Sequence, residues 1–133
     1  MVATAIYGVV GSVNDFNNGR QFAAWLGLVP QQHTTGGRIK LGSISKRGDS
    51  YVRTLLIQGS QSVVNGARRR DLLDGKSDWR RFDDTSKWLR ALYDRAGRNR
   101  TVVAMANKTA RRVHAVLSKQ QDFMSPKELS KAA

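Results

Sequence analysis

The chain contains no cysteine, which excludes a disulfide framework and any thiolate metal site. Its only imidazoles are His33 and His114, too few to build a zinc centre from histidine alone. Its longest apolar run, Phe22 to Pro30, is far below the roughly 20 residues needed to cross a bilayer as a helix. The opening stretch "MVATAIYGVV" has no charged residue before its apolar ones, so a secretory leader is not expected. Acid is also scarce, with ten Asp and Glu against 23 Lys and Arg. The expectation is a soluble, intracellular protein without metal ligands of its own.

What is present points to one folded domain. A length of 133 residues can bury a single core and is too short for two. An apolar fraction of 40%, with three Trp, three Tyr and four Phe, suits a packed chain. The net charge of +13 implies a polyanionic partner, since excess charge otherwise only adds self-repulsion. Its distribution sharpens the point. Residues 1–37 sum to zero, 38–70 to +7, 71–98 to +1 and 99–133 to +5. Two basic blocks thus flank a balanced segment, a pattern that favours nucleic acid over a merely solubilising surface.

Periodicity gives a mainly α fold, a small helical domain with a Gly-rich basic loop or short hairpin in the first third. Residues 3–13 read as the end of a helix. Asn17–Asn18–Gly19 reads as a turn before a short helix that packs Phe22, Ala23 and Leu26, with Gly27 and Pro30 ending it. From Gln31 to Gly48 no period of 3.6 or 2 is sustained. Asp49 or Ser50 can cap the next helix, whose apolar stripe is Val52, Leu55, Leu56, Gly59 and Val63. Gly59 costs about 1 kcal/mol of helix propensity, and close approach of a neighbouring backbone is the expected compensation. A polar connector from Ala67 follows. A helix capped at Asp84, Thr85 or Ser86 then packs Trp88, Leu89, Leu92 and Tyr93 and stops at Gly97. The last helix, about Asn99 to Lys119, should bury Val102, Val103, Ala106, Ala110, Val113 and Leu117. On it Asn107, Arg111 and His114 form a polar flank, with Lys108 and Arg112 further out. Residues 1–119 form the domain in this reading, and 120–133 a polar, flexible tail.

The stretch "HTTGGRIKLGSISKRGDSYVRTLL" concentrates the candidate site residues. Gly36–Gly37 lets the backbone approach a ligand and turn its N–H groups toward phosphate oxygens. Arg38, Lys40, Lys46 and Arg47 add charge, and Arg53 lies in the first turn of the following helix, whose N-terminus favours anions. An ordinary surface hairpin with turn glycines fits the same spacing. Thr34 and Thr35 carry hydroxyls that could attack a phosphodiester once deprotonated, or simply serve the turn. Arg68–Arg69–Arg70 and Arg80–Arg81 suit a solvated face, with Asp71, Asp74 and Asp78 to neutralise them. The Asn107/Arg111/His114 flank suits a phosphate or base contact and equally a hydrogen-bonded helix surface.

Three segments, "GRQFAAWLGLVP", "TGGRIKLGSISKRGDSYVRTLLIQG" and "WLRALYDRAGRNRTVVAMANKTAR", resemble the C-terminal domain of DEDD-type insertion-sequence transposases. These are the "IS one-ten" and "IS eleven-eleven" groups, related to the Piv invertases. The resemblance covers roughly residues 3 to 118 and is closer to the "eleven-eleven" branch in "VAMANKTAR". It implies a DNA-binding domain acting in transposition, cytoplasmic and nucleoid-associated in a bacterium. Full-length members join it to an N-terminal RuvC-like domain with an Asp-Glu-Asp-Asp quartet, where magnesium is expected. They work as homo-oligomers on DNA, in some cases with a structured guide RNA.

A serine of this domain attacks the strand in that family, five residues after the Pro of "GL-x-P" and before a Gly. Here that position is Thr35, before Gly36. The added methyl restricts its rotamers and crowds an in-line approach. Ser43 and Ser45 are the alternative hydroxyls, and they can instead hold the loop or contact phosphate. Nucleic-acid contacts are expected at Gly36, Gly37, Arg38, Lys40, Ser45, Lys46, Arg47, Arg53, Lys108, Arg111 and Arg112, and the anion-binding reading of the loop stands without the resemblance. Met1 falls inside a helix of the family's linker region, so the chain reads as lacking the RuvC-like half. Alone it is expected to lack the metal-dependent activity. A non-catalytic basic nucleic-acid-binding module is the alternative reading.

Overall fold

A computed structural model describes residues 2–11, 15–73 and 84–119. In chain order these form α1 (Val2–Val9), α2 (Gly19–Trp25), β1 (Pro30–Thr35), β2 (Arg38–Ile44), α3 (Ser50–Leu73), α4 (Asp84–Ala96) and α5 (Arg98–Lys119). The mainly α architecture with a hairpin in the first third is as the sequence indicates. None of the described helices is long and apolar enough to cross a membrane. The tail from Gln120 and the Arg80–Arg81 pair lie outside the described residues.

Helix boundaries follow local chemistry. The Asn18 carboxamide oxygen accepts from the N–H groups of Arg20 and Gln21 at 3.0 and 2.9 Å, which starts α2. Asp49 does the same for α3, accepting from the Val52 N–H at 2.7 Å. Gly97, at φ 80°, ends α4 in the left-handed conformation that other residues resist. The helix α3 runs further than its sequence suggests. It continues through Arg68 and Arg69 to Leu73 in place of a connector at Ala67. Arg68 helps to hold this end, donating to the Tyr93 hydroxyl at 3.2 Å with its guanidinium over that ring.

The main core gathers Ile6 and Val10 with Phe22, Ala23, Leu26 and Leu28, and closes them with Val52, Leu56, Ala106 and Ala110. A second cluster, Val64, Leu89, Val102 and Met105, joins α3, α4 and α5, and Ile57 bridges the two. Two expectations about α3 are corrected. Its buried stripe runs Val52, Leu56, Ser60, Val64, whereas Val63 is exposed. A Cβ at Gly59 would meet nothing within 4 Å, so no neighbouring backbone compensates for that glycine. On α5, Val102, Ala106 and Ala110 are buried as expected. Val103, Val113 and Leu117 are only half-buried, and Thr101, Met105 and His114 take the inner positions instead.

The hairpin root is where main chain meets main chain. A Cβ on Gly48 would collide with the Trp25 carbonyl oxygen, and one on Gly27 would lie 2.7 Å from the Arg47 nitrogen. Gly27 also holds φ 72°. The two glycines therefore let residues 45–49 cross the end of α2 at van der Waals contact. Hydrogen bonds close the crossing. The Ser45 N–H donates to Val29 O, and the Lys46 N–H to Gly27 O, at 2.9 and 3.2 Å. The Arg53 guanidinium donates to the carbonyls of Leu26 and Gly48 at 3.3 and 3.1 Å.

Denaturant unfolding should separate these glycines. Gly48→Ala is expected to lose about 1–3 kcal/mol by overpacking, while Gly59→Ala gains about 0.5–1 kcal/mol of helix propensity. Arg53→Ala should cost about 1–3 kcal/mol, because two carbonyls lose a charged donor. Its duplex-DNA affinity, read under conditions where it stays folded, should be unchanged.

Candidate nucleic-acid interface

The strands β1 and β2 pair with Thr35 opposite Arg38, Thr34 opposite Ile39, His33 opposite Lys40 and Gln32 opposite Leu41. Gly36 and Gly37, at φ 58° and 75°, make the two-residue turn between them. Positive φ at both central residues matches the right-handed twist of a tight hairpin. A register shift near the root, between Pro30 and Gln32, ends the regular pairing. Five residues at roughly 3.3 Å each put the tip about 17 Å beyond that root. Neither strand packs to any extent on a helix, and every residue from Pro30 to Ser43 is exposed.

Opposite residues of a pair share a face. His33, Thr35, Arg38 and Lys40 therefore lie on one side of the ribbon, and Gln32, Thr34, Ile39 and Leu41 on the other. The Gln32 amide donates to the Thr34 hydroxyl at 3.1 Å. The His33 ring lies toward Gly42, where a Cβ would sit 3.7 Å from its Cδ2. It is thus directed to the root and away from Thr35.

Between the hairpin root and α5 runs a groove of about 1890 Å³. Six cations line it: Arg20, Lys46, Arg100, Lys108, Arg111 and Arg112. No carboxylate does, among the described residues. The described acids are engaged or placed elsewhere, Asp49 as the cap of α3 and Asp84 with Lys87 at 3.6 Å. Like charges around one concave surface concentrate the field there. Trp88 contributes a ring to the same wall, with the Lys108 ammonium 4.3 Å from its centroid. Arg112 donates to the Thr85 hydroxyl at 3.3 Å.

Polar contacts made by residues that line the groove fix α5 against the neighbouring segments. Asn107 donates to Leu28 O at 3.3 Å, tying α5 to the segment that enters β1. His114 is buried, with Nε2 3.1 Å from Phe16 O, so that nitrogen carries the proton and donates. Of the expected polar flank only Arg111 is left exposed. At Gly19 a Cβ would lie 3.1 Å from the Arg111 Cα, so the start of α2 crosses α5 closely enough to bring Arg20 beside Arg111.

The expected site residues divide into three groups. Lys46, Lys108, Arg111 and Arg112 meet in the groove. Thr35, Gly36, Gly37, Arg38 and Lys40 stand together at the hairpin tip, outside it. Ser45 and Arg53 take part in the root crossing, and Arg47 is exposed beside it. Sequence reasoning missed Arg20, Arg100 and the groove role of Trp88. A signal existed for Arg100: Arg100, Ala104, Lys108, Arg111 and Ala115 recur at helical spacing. None existed for Arg20, which depends on the crossing at Gly19. No group of three or more His, Asp or Glu among the described residues could hold a metal ion.

The family model described as "Transposase IS116/IS110/IS902 family" matches residues 1–73. A probable family 20 transposase of Pseudomonas aeruginosa is 47% identical over 89% of this chain and 32% of its own length. The transposase for insertion sequence element IS1111A of Coxiella burnetii is 37% identical over 92% of this chain and 31% of its own. The transposase for insertion sequence element IS1328 of Yersinia enterocolitica is 33% identical, over 77% and 27%. The chain thus spans about a third of the length of these curated relatives. No solved structure matches it. With over half of the chain inside the family model and similar relatives along nearly all of it, the protein belongs to the IS116/IS110/IS902 transposase family.

Proposed function

We propose that this chain binds duplex DNA along the groove between the hairpin root and α5, as the C-terminal domain of an insertion-sequence transposase. The carrying observation is the groove itself, with six cations, one indole and no lining carboxylate among the described residues. Arg and Lys around a concave wall contact phosphate oxygens and fix the register of a duplex without reading its sequence. The same cations suit a structured guide RNA, the second polyanion that the family resemblance implies. On the family resemblance, an N-terminal RuvC-like domain would hold magnesium with an acidic quartet, and the assembly on DNA would be a homo-oligomer.

Within that complex Thr35 takes the place of the family's serine. Its Oγ1 would form a bond to phosphorus as the displaced DNA oxygen leaves. Arg38, directly across the turn, would stabilise the developing charge. The second reading, a non-catalytic DNA-binding module, draws on the orientation of His33. That imidazole turns to Gly42, so the proton of Thr35 has to go to a group beyond the hairpin.

Binding to labelled duplex DNA over a salt series tests the groove. Neutralising six phosphates in the groove contributes about −5 to the slope of log K against log salt, and combining Arg100→Ala, Lys108→Ala and Arg111→Ala should reduce its magnitude by about 2.7. An unchanged slope in the triple variant would place the DNA elsewhere. In a complex complemented with the N-terminal half of a relative, Thr35→Ser should raise strand joining, and Thr35→Ala should abolish the covalent adduct. An adduct that survives Thr35→Ala removes Thr35 from the chemistry.

A further inference from the structure

The hairpin tip stands outside the groove, although Leu41, midway along β2, also lines the groove wall, and the ribbon has features that a simple connection between α2 and α3 does not need. Ile39 and Leu41 are 65% and 67% exposed on one face of a ribbon that packs on no helix. A two-stranded hairpin is marginally stable by itself in water, and large apolar side chains held out on one are a liability unless something covers them. The opposite face presents Arg38 and Lys40. From Pro30 to Gly48 the chain has four cations and no Asp or Glu. The turn is two glycines, with open space around both Cβ positions, so the leading edge is bare backbone.

We infer that the hairpin enters the major groove of a B-form duplex, with Ile39 and Leu41 against base edges and Arg38 and Lys40 toward phosphates. This rests on the proposed DNA binding. Width selects the groove. Two strands about 4.8 Å apart, with side chains on both faces, fit an opening of about 12 Å and not one of about 6 Å. Charge selects the partner, because an arm with Arg38 and Lys40 and no carboxylate is drawn to a polyanion and repelled by a second copy of itself. Apolar side chains at the tip meet thymine methyl groups, which only the major groove displays. Helix form adds a discrimination. The major groove of A-form RNA is too deep and narrow for side chains, so the arm engages duplex DNA while the cationic groove near α5 engages either polymer.

The 133-residue chain can be tested directly. Ile39→Thr combined with Leu41→Thr puts a β-branched, strand-favouring side chain at both positions and should weaken binding to duplex DNA about tenfold. Binding to duplex RNA should stay the same. A measurement on the unaltered chain guards against a misfolded hairpin: guanine N7 methylation, which blocks the major groove, should lower DNA affinity, and prior binding of netropsin in the minor groove should not. Loss with netropsin alone would overturn the inference in favour of the minor groove. Equal affinities for the double variant and the parent chain, with methylation without effect, would overturn it outright. If the variant instead lowers self-association without DNA and leaves DNA binding intact, the apolar face covers a second copy. In these last two cases the salt-slope result for Arg100, Lys108 and Arg111 still decides the groove independently.

Discussion

The fold depends on one crossing of main chain over main chain, where residues 45–49 pass the end of α2. Gly27 and Gly48 bring the two backbones to contact. The Arg53 guanidinium then holds the carbonyls of Leu26 and Gly48 together. Both ends of the hairpin leave from this point, Val29 on one side and Ser45 on the other. A ribbon with no packing of its own can hold a direction only if its root is rigid. Lys46, held at φ 54° where a non-glycine residue is uncommon, lines the groove beside the same crossing.

Helix α5 supplies the other wall and serves two environments at once. Its inner side carries Val102, Ala106, Ala110 and His114 into the cores, and its outer side presents Arg100, Lys108 and Arg111. Small residues at 106 and 110 let α5 lie close to α2 and α3. The polar bonds of Asn107 and His114 fix its rotation. The cationic side is therefore a consequence of how the inner side packs. Any rotation of α5 that spread the cations would leave the buried His114 and the Phe16 carbonyl without each other, a cost that buried polar groups resist.

Helix starts, stops and the turn were legible because they rest on local chemistry, whereas the run of α3 past Ala67 to Leu73 was not. Asn18 and Asp49 cap, Gly97 stops a helix, and Gly36–Gly37 turns a ribbon. Contacts between elements distant in sequence were not. Nothing local to Gly48 says that it faces the Trp25 carbonyl, nor does anything near Gly19 say that it faces Arg111. His114 has the spacing of a polar flank, yet one backbone oxygen of Phe16 is enough to take it inside. Arg53 reads as an anion contact by its place in a first helical turn, and nothing local shows that it also clamps the carbonyls of Leu26 and Gly48. The cations of the candidate interface were readable as a helical stripe on α5, while their closure into a groove required Arg20 and Lys46 from the two crossings.

Family membership and the groove bear on different parts of one machine. The relatives are about three times as long as this chain, and the contribution proposed for the described residues is a surface that takes DNA. Site-directed photo-cross-linking tests that contribution most directly, with a benzophenone side chain replacing Ala115 in the groove or Val63 on the exposed side of α3. Binding in the groove predicts cross-links to duplex DNA from position 115 and none from position 63. Cross-links from position 63 alone would contradict it.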